Sequence, residues 1–200
     1  MKRIEAIIAI LAIVSSTVPA LAGEAETASV RNCTWCHGTS GRGFMTAPRL
    51  AGQRLQYIEN QLLGFAEHTR DNPFSKQYMW GVAAALGPRA AHDLASYFSA
   101  LTPNAASDGD SQLAARGRTI YVEGIPDSNI ASCLVCHGPE AQGVREIPRL
   151  GGLSYYYLKG RLEQWGEGYH SAAVSPMPLI ASKLSPKEIE ALASYLSFVK

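Results

Sequence analysis

Two octapeptides, RNCTWCHG at 31–38 and ASCLVCHG at 131–138, hold all four cysteines of this 200-residue chain. Each places two cysteines three apart and a histidine directly after them: Cys33, Cys36 and His37, then Cys133, Cys136 and His137. That spacing suits covalent haem attachment, in which both sulfurs form thioethers to a porphyrin and the adjacent imidazole is aimed at its iron. Three other uses of paired cysteines fit less well. A thioredoxin-like redox pair wants a βαβ setting, and no alternating strand pattern stands near either motif. Structural zinc brings its cysteine pairs about 15–20 residues apart, whereas these lie one hundred apart. Two disulfides would leave the recurrence of His37 and His137 without a reason. The motifs therefore predict two covalently bound haem c groups.

Each iron needs a sixth ligand, and beyond Met1 the chain offers only Met45, Met79 and Met177. Met177 is the one candidate in the second half, and Met79 is its counterpart in the first. Met45 lies eight residues after His37 and matches Arg145, which suits packing at the haem edge. Of the remaining histidines, His92 matches Glu190 and reads as solvated surface. His68 and His170 also read as surface by default and stand as the alternative sixth ligands.

The elements that position these groups come from a duplication. At an offset of one hundred, Gly38, Gly43, Pro48-Arg49-Leu50, Gly52, Tyr57 and Leu62 meet identical residues, and Phe65 meets Trp165. The offset then falls to 98, at which Met79 meets Met177 and Leu94-Ala95-Ser96-Tyr97 meets Leu192-Ala193-Ser194-Tyr195. The spacing predicts helices. SPKEIEALASYLSFV offers Ser185 as N-cap, Pro186 at the first helical position, Glu188 to complete a capping box, and a stripe of Ile189, Leu192, Ala193 and Leu196. Leu94, Ala95, Phe98 and Leu101 form the equivalent stripe after Gly87-Pro88. Leu55, Ile58, Leu62 and Phe65 share a face, as do Leu158, Leu162 and Trp165. SQLAARGRTIYVEG reads as a helix ahead of the second motif, while the helix ahead of the first must be short. The expected fold class is all-α, with two tandem helical domains, each wrapped around one haem. The domains span 23–102 and 111–200, joined by a linker at 103–110 with turn-forming composition.

Met1, Lys2 and Arg3 precede an apolar run from Ile4 to Val14, and Ala20-Leu21-Ala22 follows as a small-x-small cleavage site, so residues 1–22 read as a signal peptide cleaved after Ala22. The run is well short of the roughly 20 residues that span a bilayer, so the mature chain is expected to be exported, periplasmic and not membrane-spanning. Without residues 1–22, sixteen basic and sixteen acidic side chains remain. Neither half has the basic excess of a nucleic-acid binder.

CTWCHGTSGRG followed by PRLAGQ, and CLVCHGPEAQG followed by PRLGG, with a later methionine, LSPKEIEALASYL and a tandem arrangement, resemble the dihaem class I cytochromes c of the cytochrome c4 type. The resemblance covers essentially the whole mature chain. It implies one His/Met haem per domain, His37 with Met79 and His137 with Met177, with propionate edges facing across the domain boundary. It also implies that the carbonyls of Pro48 and Pro148 accept the ring N–H of the axial histidines. Arg49 and Arg149, which follow those prolines, read either as partners of the propionates or as ordinary surface arginines. The chain departs from internal symmetry where Trp80 follows Met79 and Pro178 follows Met177. The two methionine loops should therefore differ in conformation.

An iron bound by both histidine and methionine has no open position, and the neutral thioether favours the ferrous state. The expected function is thus single-electron transfer by a periplasmic protein that is not itself an enzyme. Its partners would be a donor dehydrogenase or quinol-oxidising complex and an acceptor oxidase or reductase. One alternative is a fixed electron-accepting subunit of a flavocytochrome c sulfide dehydrogenase-like complex. Another is a haem enzyme such as a peroxidase or a thiosulfate dehydrogenase, which would need an open iron position.

Overall fold

The computed structural model describes residues 30–44, 47–169 and 175–200. The proposed signal peptide, Met45 and His170 lie outside these residues. Helix α1 covers 30–37. It is followed by α2 (Leu55–Ala66), a π-helical turn (Ser75–Met79), α3 (Trp80–Ala83) and α4 (Pro88–Ala100). The second half has α5 (Ser111–Glu123), a 3₁₀ turn (Pro126–Ser128), α6 (Leu134–His137), α7 (Tyr155–Gly166), α8 (Met177–Ala181) and α9 (Pro186–Phe198). Among the described residues, extended pairing is confined to two isolated bridges, Ile125 with Ile130 and Val144 with Ile147. The all-α expectation holds.

The predicted stripes face the cores. Ile58 and Leu62 of α2 pack with Ala91, Leu94, Ala95 and Phe98 of α4, with Leu55 and Leu101 half-buried at the margin, while Phe65 is buried outside that cluster under the Arg70 guanidinium. In the second half, Ile120 and Tyr121 of α5 meet Ala191, Leu192 and Leu196 of α9, and Leu158 of α7 closes the cluster. Helices α5 and α9 approach so closely at Gly117 that an added Cβ would stand 1.9 Å from the Ala191 carbonyl oxygen. Only a residue without a side chain permits that crossing.

Helix α9 begins as the sequence predicts. The Ser185 hydroxyl accepts from the Glu188 N–H, and the Glu188 carboxylate accepts from the Ser185 N–H at 2.8 Å. Ser185→Ala is expected to lower unfolding stability by about 1 kcal/mol, measured by denaturant titration. A change of less than a few tenths would show that the cap is redundant.

The joining segment is fastened rather than loose. Ala106 N–H donates to the Gly152 carbonyl and Ser107 N–H to that of Ser197. Gly109 and Asp110 N–H donate to the hydroxyls of Ser197 and Ser194. The Asp108 carboxylate accepts from the Ser154 hydroxyl at 2.7 Å and the Tyr155 N–H at 2.8 Å, at the start of α7. Ser194 and Ser197 are therefore wholly buried, and α9 is covered on a second face by the segment that precedes α5.

Candidate metal centres

Each centre is built by one loop design used twice. Helix α1 ends at His37 and α6 at His137, and the chain then turns so that Gly43 N–H donates to the His37 carbonyl at 2.7 Å and Gly143 N–H to the His137 carbonyl at 2.8 Å. Both glycines have left-handed backbones, with φ of 68° and 70°. A Cβ on Gly43 would lie 2.2 Å from the Ala47 carbonyl oxygen, and one on Gly143 would lie 2.4 Å from that of Ile147. Glycine at these two repeat positions is thus a steric requirement of the turn. Leu50 N–H then returns to the Gly41 carbonyl, and Leu150 N–H to that of Ala141, both at 2.8 Å.

That return brings each proline carbonyl onto its histidine. His37 Nδ1 donates to the Pro48 carbonyl at 2.8 Å, and His137 Nδ1 donates to that of Pro148 at 3.0 Å. A carbonyl only accepts, so the proton sits on Nδ1 and the Nε2 lone pair is left for a metal. Both rings are buried. Burial lowers their pKa below the ordinary imidazole value, although the proline bond acts in the opposite sense. A neutral ring with a fixed tautomer is the form that ligates iron.

Cys33 and Cys133 are half-buried against the cores of their halves, while Cys36 and Cys136 are exposed. Burial pushes the Cys133 thiol up to about 11. The Tyr121 hydroxyl donates to the Gly138 carbonyl at 2.6 Å in a wholly buried position, and the Tyr121 carbonyl receives the Cys133 N–H at 3.0 Å. Tyr121 thus holds the second attachment turn at both ends. Tyr121→Phe should cost about 1–3 kcal/mol, because the buried Gly138 carbonyl would lose its partner. Thermal unfolding checks this, and an unchanged midpoint would mean that the carbonyl finds another donor.

Met79 is the last residue of the π-helical turn and packs against the same core as Cys33. Met177 is the first residue of α8, which packs on α7; it is half-buried, and its N–H donates to the Ser175 hydroxyl. The two methionines stand in different local geometries, as the Trp80 and Pro178 difference predicts. His68 stacks on Trp80 with ring centroids 4.0 Å apart, and His92 lies 3.3 Å from Glu59. Arg49 donates to the Asn104 carbonyl and Arg149 to that of Gly151. Those guanidiniums serve the chain itself at the boundary.

A cluster that sequence reasoning missed lies where the halves meet. Arg70 donates to Gln61 at 2.7 Å and, across the boundary, to the Tyr157 hydroxyl at 3.3 Å. Arg161 donates to Gln164 and sits over the Trp165 ring. Burial, then the charge of Arg70, lowers the Arg161 guanidinium to about 10, against the pull of Tyr157, Tyr57 and Asp71. Two buried N–H donors, Arg70 Nε and Trp165 Nε1, have no hydrogen-bond partner among the described residues. The repeat flagged Tyr57 and Tyr157 as a pair. Nothing flagged the arginines, which occupy non-equivalent positions.

The donor set fits covalent haem at each motif: two thiols at the attachment spacing, a neutral imidazole with Nε2 free, and buried cationic donors suited to carboxylates. No helix among the described residues is long and apolar enough to cross a membrane.

The Cytochrome c family pattern matches residues 114–200. The chain is 32% identical to cytochrome c4 of Thiocapsa roseopersicina over 180 residues, covering 88% of this chain and 90% of that protein. It is 34% identical to the thiosulfate dehydrogenase electron acceptor of Thiomonas intermedia, covering 83% of this chain and 77% of the relative. The solved cytochrome c4 of Acidithiobacillus ferrooxidans superposes with a TM-score of 0.78 at 34% identity, covering 84% of this chain and 98% of that one. These matches run over 83–88% of this chain and so include both helical halves. The chain belongs to the cytochrome c4 family and is a dihaem electron-transfer cytochrome.

Proposed function

We propose that this protein is an exported periplasmic carrier, which takes single electrons from a respiratory donor and delivers them to a terminal oxidase or reductase. In this reading residues 1–22 are removed after Ala22, and the domains run over 23–102 and 111–200. His37 with Met79 and His137 with Met177 are the axial pairs, and Pro48 and Pro148 orient the histidines. The haem supplies a one-electron ferric/ferrous couple. The side chains would do the rest: each cysteine pair would hold the ring covalently, and the buried imidazole and the methionine would both bind its iron, leaving no place there for substrate or water. The observation that carries the reading is the His37 Nδ1 bond to Pro48, which leaves the Nε2 lone pair of a buried ring for a metal, in a half whose core also packs Cys33 and Met79. The Thiomonas relative, an electron acceptor for thiosulfate dehydrogenase, makes a sulfur-compound dehydrogenase a fitting donor.

The test is stopped-flow mixing of the oxidised protein with a reduced donor dehydrogenase, and of the reduced protein with a terminal oxidase. Transfer in both directions at rates that fall with dilution supports a free carrier. Co-purification with the donor at fixed stoichiometry, without exchange, would make it a fixed subunit. Rapid peroxide or thiosulfate turnover by the protein alone would make it an enzyme.

A further inference from the structure

The two attachment loops share a backbone design and differ in what they show to solvent. Trp35, between the attachment cysteines of the first motif, is 81% exposed, and Phe44, just beyond the Gly43 turn, is 65% exposed. Their repeat equivalents are the smaller Val135 and Val144. The Gly43 N–H bond to the His37 carbonyl returns the loop to the end of the motif, so Phe44 follows a residue held against the turn that carries Trp35. Tryptophan and phenylalanine are side chains that protein interfaces collect, because they remove much apolar surface from water on contact.

Charge separates the loops as well. From the first motif to the start of α2, residues 31–54 carry Arg31, Arg42, Arg49 and Arg54 and no acidic side chain. The equivalent residues 131–154 carry Arg145 and Arg149 against Glu140 and Glu146. Arg49 is used by the chain itself, through the Asn104 carbonyl. Arg31, Arg42 and Arg54 are exposed and form no ion pair among the described residues. Like charges gathered on one loop repel one another, and a negatively charged surface brought against them relieves that repulsion. The balanced charge of the chain as a whole hides this local excess.

We propose that Arg31, Trp35, Arg42 and Phe44 form the docking surface for an acidic one-electron redox protein, and that the second half offers no equivalent. The arginines steer a negatively charged partner to the first half, and the two aromatics supply the water-excluding centre of the contact. Trp35 immediately precedes Cys36, so a protein that covers it stands one residue from a covalent bond to the porphyrin. At each encounter one electron crosses between the partner and the iron of the first half, which passes between ferric and ferrous, and no atom or proton is transferred. The proposal deepens the carrier reading by naming the chemistry of a partner and the half that meets it. It rests on the electron-transfer role of the haems and holds for a free carrier and a fixed subunit alike.

The probe is a strongly acidic flavodoxin, whose flavin hydroquinone gives one electron to ferric iron and becomes the semiquinone. Reduction of the oxidised holoprotein is followed by stopped flow over a range of salt concentrations, with two haems per chain, intact methionine ligation and unchanged midpoint potentials as controls. Two double variants give the first half the residues of the second: Arg31→Ala with Arg42→Gln, and Trp35→Val with Phe44→Val. The arginine pair is expected to slow reduction about tenfold at low salt and to remove most of its salt dependence. The aromatic pair is expected to slow it about fivefold and to leave the salt dependence as in the wild type. Hexaammineruthenium(II), a small cation that needs no docking surface, should reduce the variants no more slowly than the wild type. Either pair reacting with flavodoxin as fast as the wild type overturns the proposal, as does equal slowing toward both reductants. Should Trp35→Val, inside the attachment motif, prevent assembly with two haems, Phe44→Val alone is read by the same criteria. Because flavodoxin stands in for any acidic donor, failure here leaves the carrier reading standing. A protein that proves to be a fixed subunit likewise leaves this proposal standing.

Discussion

Gly117→Ala unfolds the second half at a markedly lower denaturant concentration than the wild type and reduces the haem recovered there. Local propensity argues the other way, since alanine inside a helix is favoured over glycine by about 1 kcal/mol. The packing term decides the sign. The new methyl would lie 1.9 Å from the Ala191 carbonyl oxygen and 2.6 Å from its carbonyl carbon, both backbone atoms of α9. No rotamer change relieves a contact with main chain, so α5 and α9 must separate, and overpacking of this kind costs about 1–3 kcal/mol and sometimes more. Separation would also loosen Tyr121, one turn further along α5, and with it the Cys133 attachment turn. Denaturant unfolding read at the haem absorption of each half measures the effect. An unchanged midpoint would mean that the helix crossing can slide, and the account of Gly117 would be wrong.

Met79→Ala and Met177→Ala should each remove half of the long-wavelength methionine-to-ferric-iron absorption band. The midpoint potential of the affected haem should fall by a few tenths of a volt, against the roughly 0.8 V that axial ligation spans. The neutral thioether stabilises ferrous iron, and the water or hydroxide that replaces it does so less. Each ferrous variant should also bind carbon monoxide at one iron, which the wild type should not. A full band in either variant would sink that methionine as a ligand and return His68 or His170 to consideration. The His68 ring already stacks on Trp80, which argues for methionine in the first half.

Most of the site was legible because its chemistry is local. Cys-x-x-Cys-His spans five residues, and the Gly43 and Pro48 positions needed by the return loop repeat at Gly143 and Pro148. The helical stripes were legible for the same reason, since a periodic pattern within one element reports its buried face. The boundary cluster was not legible, because it joins Arg70, Tyr157 and Arg161 from separate elements at positions with no repeat equivalence. Nor was the second buried face of α9: Ser194 and Ser197 look solvent-facing by composition and are covered only because Gly109 and Asp110 donate to their hydroxyls. Sequence periodicity sees an element against its nearest core. It does not see what later crosses over the other side.

The contact between Gln53 and Arg149 bears on how the duplicated halves came to fit. The Gln53 amide donates to the Arg149 carbonyl at 2.9 Å and accepts the Arg149 N–H at 2.7 Å, so a side chain pairs with main chain as a neighbouring strand would. A two-fold assembly of identical copies would show the reciprocal contact, from position 153 to residue 49. Position 153 is leucine, which has no amide, and Arg49 turns instead to Asn104. The boundary is therefore a lock with one key side. A chain rebuilt from two second halves would carry leucine at position 53 and lose the contact, whereas one rebuilt from two first halves would keep it, so the glutamine of the first half is what the lock requires.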